Sequence, residues 1–373
     1  MPAVGRMPLR GHERTGLRAE TDGGTSPAEM SSLADWARAI DGTFQRAAAG
    51  TGVVEQRFRL ADASLAVQSA GPTMLERLGS AFAHLSEVFV GEPDLRISVW
   101  DSESTGVEPP PRPATDESQP RGAVVYSATD SLQIAYQPGL SQLSAFDSER
   151  RTAWFWCRDA AELPFWEPAA PFRQILHWWL ARRELLLLHG AAVGTAEGGV
   201  LLVGRGGSGK STCALASLTS DLLYAGDDYV AARVGTEPWV YSLYCSGKLV
   251  PGHATLLPHL PPPSFDGDGT EDEKAVFYVS ERFPDRMCRG FPLRAVFVPR
   301  VTGSEPRILP VEPGAALRAL APSTLLQLHP ARPEALRSMA GLLRRVPTYS
   351  LEVGPEIDAI PKAIERFLHD LPR

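Results

Sequence analysis

The sequence predicts an α/β domain built around a strand, a glycine-rich loop and a helix, preceded by a mixed α+β domain. Three observations carry this. The apolar run Val200-Leu201-Leu202-Val203 leads into Gly204-Arg205-Gly206-Gly207-Ser208-Gly209-Lys210-Ser211, and a helical stretch from Thr212 to Leu218 follows. Further strand-like runs and helically periodic stretches alternate through the C-terminal half, as they do in α/β folds. The first half groups short strands and helices without that order, and no repeat of 20–50 residues runs through the chain.

Taken in order, residues 1–28 are rich in Gly, Arg, Thr and Pro without periodicity, a composition expected to stay disordered. Leu33, Trp36, Ala37, Ile40 and Phe44 have helical spacing, so 31–49 is predicted as an amphipathic helix. Strands are expected at 53–60, 64–69 and 95–100, with a helix over 73–88 whose apolar face holds Leu75, Leu78, Phe82 and Leu85. The segment 101–122, dense in Pro, Ser and Glu, reads as a surface loop. Strands resume at 123–127, 132–136 and 152–157. The aromatic run Trp154-Phe155-Trp156 is expected to be buried rather than to stack on a ligand, because large aromatics dominate core burial. A helix over 172–184 leads into the second domain.

There, strands are expected at 185–188, 200–203, 222–226, 229–234, 239–243, 275–279, 293–298 and 348–353. Helices are expected over 212–218, 314–320, 333–345 and 361–371, the last with proline in its first turn. A second loop rich in Pro, Gly and Asp, 251–270, is long enough to act as a flap.

The segment 204–211 satisfies G-x-x-x-x-G-K-[ST], between strand and helix as that pattern requires. Such a loop points its backbone N–H groups at phosphate oxygens. Gly204, Arg205, Gly206, Gly207, Ser208, Gly209, Lys210, Ser211 and Thr212 are therefore the candidate nucleotide-binding residues, with Lys210 for the β and γ phosphates and Ser211 for a magnesium ion. His189 follows the apolar run 185–188, and Asp227-Asp228 follow the strand 222–226. If the sheet is parallel, the carboxyl ends of these strands gather at one edge, where ligands bind.

Over residues 185–230 the chain resembles the catalytic domain of HPr kinase/phosphorylase and its related serine kinases. That family carries a histidine at a strand end, then a G-x-S-G-x-G-K-S loop, then an Asp-Asp pair, and His189, the loop ending at Ser211, and Asp227-Asp228 recur in that order. The resemblance implies an α/β P-loop kinase domain of the HPr kinase/PEP carboxykinase-like type with an N-terminal α+β domain. It implies ATP and Mg2+ as substrate and cofactor, Lys210 on the transferred phosphate, Ser211 and Asp227 on the metal, Asp228 as base, and His189 against the same site. The implied acceptor is a serine hydroxyl of a peptide or small protein, which includes the precursors of peptide natural products, and a homo-oligomer is left open. The chain departs from the family where Thr212-Cys213 replaces the usual glutamate after the loop serine. It also lacks a counterpart of the later metal-binding glutamate and of the arginine-rich signature of dephosphorylation. The resemblance thus extends to kinase chemistry and not to the phosphorylase reaction.

The predicted division is residues 29–165 as an accessory domain that recognises the acceptor and 166–373 as the catalytic domain. Lys248, in Tyr244-Cys245-Ser246-Gly247-Lys248, reads equally as a phosphate or acceptor ligand and as a solvated lysine; Lys274, Arg294 and Arg300 are unranked candidates for phosphate charge. Two readings stay beside the serine kinase: a small-molecule kinase, and a nucleotide-dependent binding or scaffold module without transfer.

Composition narrows the partners. A net charge of -7 over 373 residues argues against a surface built to bind nucleic acid. Cys157, Cys213, Cys245 and Cys288 are widely spaced, without the pairing of a zinc or disulfide framework, and a cytoplasmic protein is expected. The apolar stretch 185–203 is interrupted by His189, Glu197 and glycines, so no membrane span is expected.

Overall fold

The computed structural model describes residues 33–111, 124–265, 274–330 and 333–371. The segment expected to be disordered and parts of the two expected loops (112–122 and 266–270) lie outside the described residues.

Among the described residues, seven strands form a first sheet: β1 (Val53–Leu60), β2 (Ala63–Ala70), β3 (Leu95–Asp101), β4 (Val125–Ala128), β5 (Leu132–Gln137), β6 (Gln142–Asp147) and β7 (Thr152–Cys157). Their order is β1-β2-β3-β7-β6-β5-β4, parallel from β2 through β3 to β7 and antiparallel elsewhere. The helix Leu33–Thr51 lays Trp36, Ile40 and Phe44 on one face, against Trp100, Trp154 and Trp156. Phe155 points the opposite way, as strand alternation requires, into a core with Phe82 and Phe172. The aromatic run is thus buried on both faces. The stretch predicted as one helix over 73–88 is α-helical only over Thr73–Leu78 and continues as a 3-10 turn over Gly79–Leu85.

β6 is absent from the predicted strands because Gln142, Ser144 and Asp147 break up its apolar residues. In the sheet all six of its residues are buried. The short strand Arg307–Pro310 is likewise unpredicted, being mostly exposed.

The second sheet uses β8 (Leu185–Thr195), β9 (Gly198–Val203), β10 (Leu223–Gly226), β11 (Tyr229–Arg233) and β12 (Trp239–Tyr241). A two-stranded ribbon of β13 (Ser246–Leu249) and β14 (Ala275–Tyr278) follows, and β15 (Gly290–Val301), β16 (Arg307–Pro310) and β17 (Thr348–Val353) complete the sheet. β15 runs parallel to β9 and β17, whereas β8 is antiparallel to β9, β10 and β11. The parallel sheet expected around the loop is therefore a mixed one, and His189 lies within β8 rather than at its end. Because β9 pairs with both β8 and β15, the strands β8, β11, β12, β15 and β9 form a closed circuit of pairings.

Helix Lys210–Ala216 packs with the final helix Ala359–Asp370 in one core, and helices Pro313–Leu325 and Pro333–Arg345 pack on β8, β9, β11 and β15 in another. The core that contains Phe155 and Phe172 continues through helix Arg173–Arg182 to Leu185, Leu187, Tyr229 and Tyr244. The two sheets therefore share apolar packing at their junction. No helix among the described residues is long and apolar enough to cross a membrane.

Gly190 of β8 is pressed so closely on β9 that an added Cβ would lie 2.8 Å from the Leu202 carbonyl oxygen. Gly190→Ala must displace backbone and is expected to destabilise the protein by about 1–3 kcal/mol, the range for overpacking. Chemical denaturation of the variant against wild type checks this.

Candidate active site

β8 is the strand on which the site is assembled. Gly190 pairs with Val203, the last residue before the glycine-rich loop, and its N–H donates to the Asp228 carbonyl at 3.0 Å. His189 pairs with Tyr229. β10 and β11 follow each other along β8, with a register shift between Tyr224 and Gly226, and Asp227-Asp228 form the interruption between them. Asp228 has φ 68°, in the left-handed region that aspartate tolerates better than most residues. Loop, histidine and aspartate pair meet through two adjacent residues of one strand.

In the loop, Gly207 and Gly209 have φ of 74° and 98°, conformations that would strain a side chain. Lys210, only 6% exposed, donates from Nζ to the carbonyls of Gly204 at 2.7 Å and Arg205 at 3.2 Å. Burial pushes its ammonium down, while the carboxylates of Asp227 and Asp228 work in the opposite direction. The Ser208 hydroxyl is buried in the loop without a hydrogen-bond partner. A phosphate oxygen would satisfy that donor and draw Lys210 off the carbonyls.

Asp227 is 1% exposed and accepts from the Ser211 hydroxyl at 3.0 Å and from the Lys248 backbone N–H at 3.1 Å. Hydroxyl and carboxylate oxygens are what magnesium takes, and it commonly completes its shell with water and substrate phosphates. Ser211 and Asp227 fit such an ion. Among the described residues no cluster of three or more His, Cys, Asp or Glu is arranged to hold a metal unaided.

Asp228 lies between two cationic or cation-forming groups. Its Oδ2 is 2.5 Å from Lys248 Nζ and its Oδ1 is 3.1 Å from His189 Nε2. Burial alone would push its carboxyl up. The Lys248 ammonium and the His189 contact overcome that and hold it well below the usual carboxylate range. His189 is fixed in turn by its backbone N–H, which donates to the Thr324 hydroxyl at 3.1 Å, and by its ring against Tyr229.

Lys248 is carried by β13, where it pairs with Val276 of β14. Its neighbour Gly247 allows that strand to sit against helix Lys210–Ala216: a Cβ there would lie 2.6 Å from a Leu215 methyl. The sequence left Lys248 undecided between solvent and site, because the two-residue signal of a small residue followed by lysine does not say where the strand docks.

Asp228, His189, Lys248, Arg205, Gly206 and Lys274 all border one cavity of about 670 Å³. Its far wall is supplied by the first sheet and the segment after it, with Gln142, Ser144, Phe155 and the buried ion pair Arg173–Glu167, 2.9 Å apart. None of these wall residues belongs to a motif, and of them only Phe155 was weighed from sequence as a ligand contact, with burial the expectation. Of the three unranked cations, Lys274 borders the cavity; Arg294 and Arg300, on β15, are not among its lining residues, nor is Thr212, in the first turn of its helix.

Asp228 binds its proton more weakly in the folded protein than in the unfolded chain, where the value is 3.8. Its ionised form therefore contributes stability that is complete above that value and is lost as pH falls through the lower, folded one. Lys248→Met leaves the buried carboxylate facing only His189. It is expected to cost about 3 kcal/mol at neutral pH and to move acid unfolding to higher pH. Urea unfolding at a series of pH values from about 3 to 7 reads both effects.

No protein-family model matches the sequence, and no curated protein matches it. Among solved structures, the chain is similar to the Hpr(Ser) kinase/phosphatase from Coxiella burnetii with a TM-score of 0.27 and 12% identity, over 49% of this chain and 94% of that one. A likeness at that level supports no argument about the site, which rests on the geometry above.

Proposed function

We infer that the protein is an ATP- and Mg2+-dependent phosphotransferase that phosphorylates a hydroxyl. The observation that carries this reading is the Asp228 carboxylate, kept ionised by Lys248 and His189, on the same cavity as the phosphate-loop residues Arg205 and Gly206. Phosphoryl transfer asks little covalent chemistry of a protein. It needs phosphate positioning, charge stabilisation and a carboxylate beside the nucleophile.

In this reading the loop amides, the Ser208 hydroxyl and Lys210 bind the phosphates, and Ser211 with Asp227 holds magnesium, whose charge offsets that of the phosphate oxygens. Asp228 orients the acceptor hydroxyl. The acceptor oxygen bonds to the γ-phosphorus as the bond from that phosphorus to the β–γ bridging oxygen breaks, and the hydroxyl proton passes to Asp228. A low proton affinity suits a late transfer, in which the hydroxyl loses its proton only as its bond to phosphorus forms. Lys248 supports the carboxylate's charge before transfer and stands beside the incoming phosphoryl group.

The resemblance of residues 185–230 to HPr kinase-like serine kinases supports a serine hydroxyl of a peptide or small protein as acceptor. A small-molecule acceptor is the second reading, and the cavity volume of about 670 Å³ favours it.

Asp228→Asn should retain ATP affinity and lose transfer by about 10²–10⁴-fold, the usual contribution of a positioned base. Lys210→Ala should weaken ATP binding as well as transfer. Label transfer from γ-labelled ATP, with equilibrium nucleotide binding measured alongside, separates the two variants. Undiminished transfer by Asp228→Asn would falsify its role as base. Chelation of magnesium by EDTA should abolish transfer, and re-addition should restore it.

A further inference from the structure

The cavity beyond Asp228 is bounded by the chain itself, and its walls differ sharply in chemistry. At the loop end stand Arg205, Lys248 and Lys274, cations suited to phosphate. Arg173 is neutralised by Glu167, which is 2% exposed, and apart from Asp228 the remaining polar lining is uncharged. Gln137, Gln142, Ser144 and the Gln327 amide NH2 supply amide and hydroxyl groups to the lining beside the rings of Phe165 and Trp166, while the Gln174 amide is taken up by the His329 backbone and the Gln327 carbonyl by the Tyr229 hydroxyl.

One group in that wall is unsatisfied. Gln142 is 3% exposed, and its side-chain carbonyl oxygen has no hydrogen-bond partner. A buried acceptor without a donor is costly in a folded protein, and a ligand hydroxyl that reaches it removes the cost. The volume of about 670 Å³ lies in the range of small-molecule sites. The wall strands also lack the means to take up an extended peptide as an added strand: β6 is paired on both edges, with β5 and β7, and β5 with β4 and β6.

We propose that the acceptor is a neutral polyhydroxy small molecule of roughly monosaccharide to disaccharide size, with one hydroxyl on Asp228 and another donating to Gln142. The amide-rich wall matches the donors and acceptors of such a molecule, and the aromatic faces match the polarised C–H groups of a sugar ring. The assignment rests on the phosphotransferase reading: one acceptor hydroxyl takes the γ-phosphoryl group, its proton goes to Asp228, and ADP leaves. It extends that reading by naming the substrate class and the residue that selects it.

The test gives the full-length protein γ-labelled ATP and magnesium with a panel of monosaccharides, disaccharides and sugar alcohols, and in parallel with serine-containing peptides. Label is expected on a member of the polyol panel. In Gln142→Leu the KM for that compound should rise about tenfold, the equivalent of one neutral hydrogen bond. The melting temperature should not fall, since the substitution removes an unpaired buried oxygen, and ATP affinity measured on the same sample reports that the variant is folded. Gln142→Met, closer to glutamine in shape, should behave alike. Label on the peptides with none on the polyols, or an unchanged KM in both variants, overturns the acceptor assignment and leaves the phosphotransferase standing. Failure of the wild-type protein to bind ATP overturns both.

Discussion

The constraint on which the site depends is the close approach of β8 to its neighbours at residues 189–190. Gly190 pairs with the residue that enters the phosphate loop and donates to the carbonyl of Asp228, and the adjacent His189 reaches the Asp228 side chain. No side chain is tolerated at Gly190 without backbone movement, because the Leu202 carbonyl already occupies that space. Strand pairing thus sets the distance between loop and carboxylates. Positions so defined are stiffer than positions on a loop, as a geometry-dependent reaction requires.

Around that seam the charges are arranged so that no buried ion is left alone. Asp227 is hydrogen-bonded by a hydroxyl and an amide, Asp228 is paired with Lys248 and His189, and Glu167 with Arg173. Lys210 rests on loop carbonyls. This last contact is weaker than an ion pair and is the one that a polyphosphate can displace at little cost. The structure therefore holds its carboxylates firmly and Lys210 lightly.

The N-terminal sheet has a part in the site that its sequence does not advertise. Its helix-covered face buries tryptophans, and its other face meets the second sheet in a shared apolar core. Where that packing stops, β6 and the segment 165–174 present amides, a hydroxyl and aromatic rings to the cavity. β6 evades pattern reading partly for the reason that it matters: Gln142 and Ser144, two of the polar residues that break up its apolar character, border the cavity.

The sequence by itself located the glycine-rich loop between its flanking strand and helix, because glycine, lysine and serine at those spacings mark that turn. Periodicity likewise located most helices and strands, among them the amphipathic helix expected over 31–49 and the helix over 333–345. His189, Ser211, Asp227 and Asp228 were legible as candidates, and the structure joins Ser211 to Asp227 and His189 to Asp228. The direction of the strands was not legible. A parallel arrangement was the expectation, and the antiparallel pairing of β8 comes from hydrogen bonds between segments far apart in the chain. Only the tertiary structure decided that Lys248 belongs to Asp228, that Arg173 is neutralised by Glu167, and that Gln142 looks into the cavity. Each depends on how separate strands dock, and docking is set by close packing at glycines and by side-chain volume, which leave no periodic trace in the sequence.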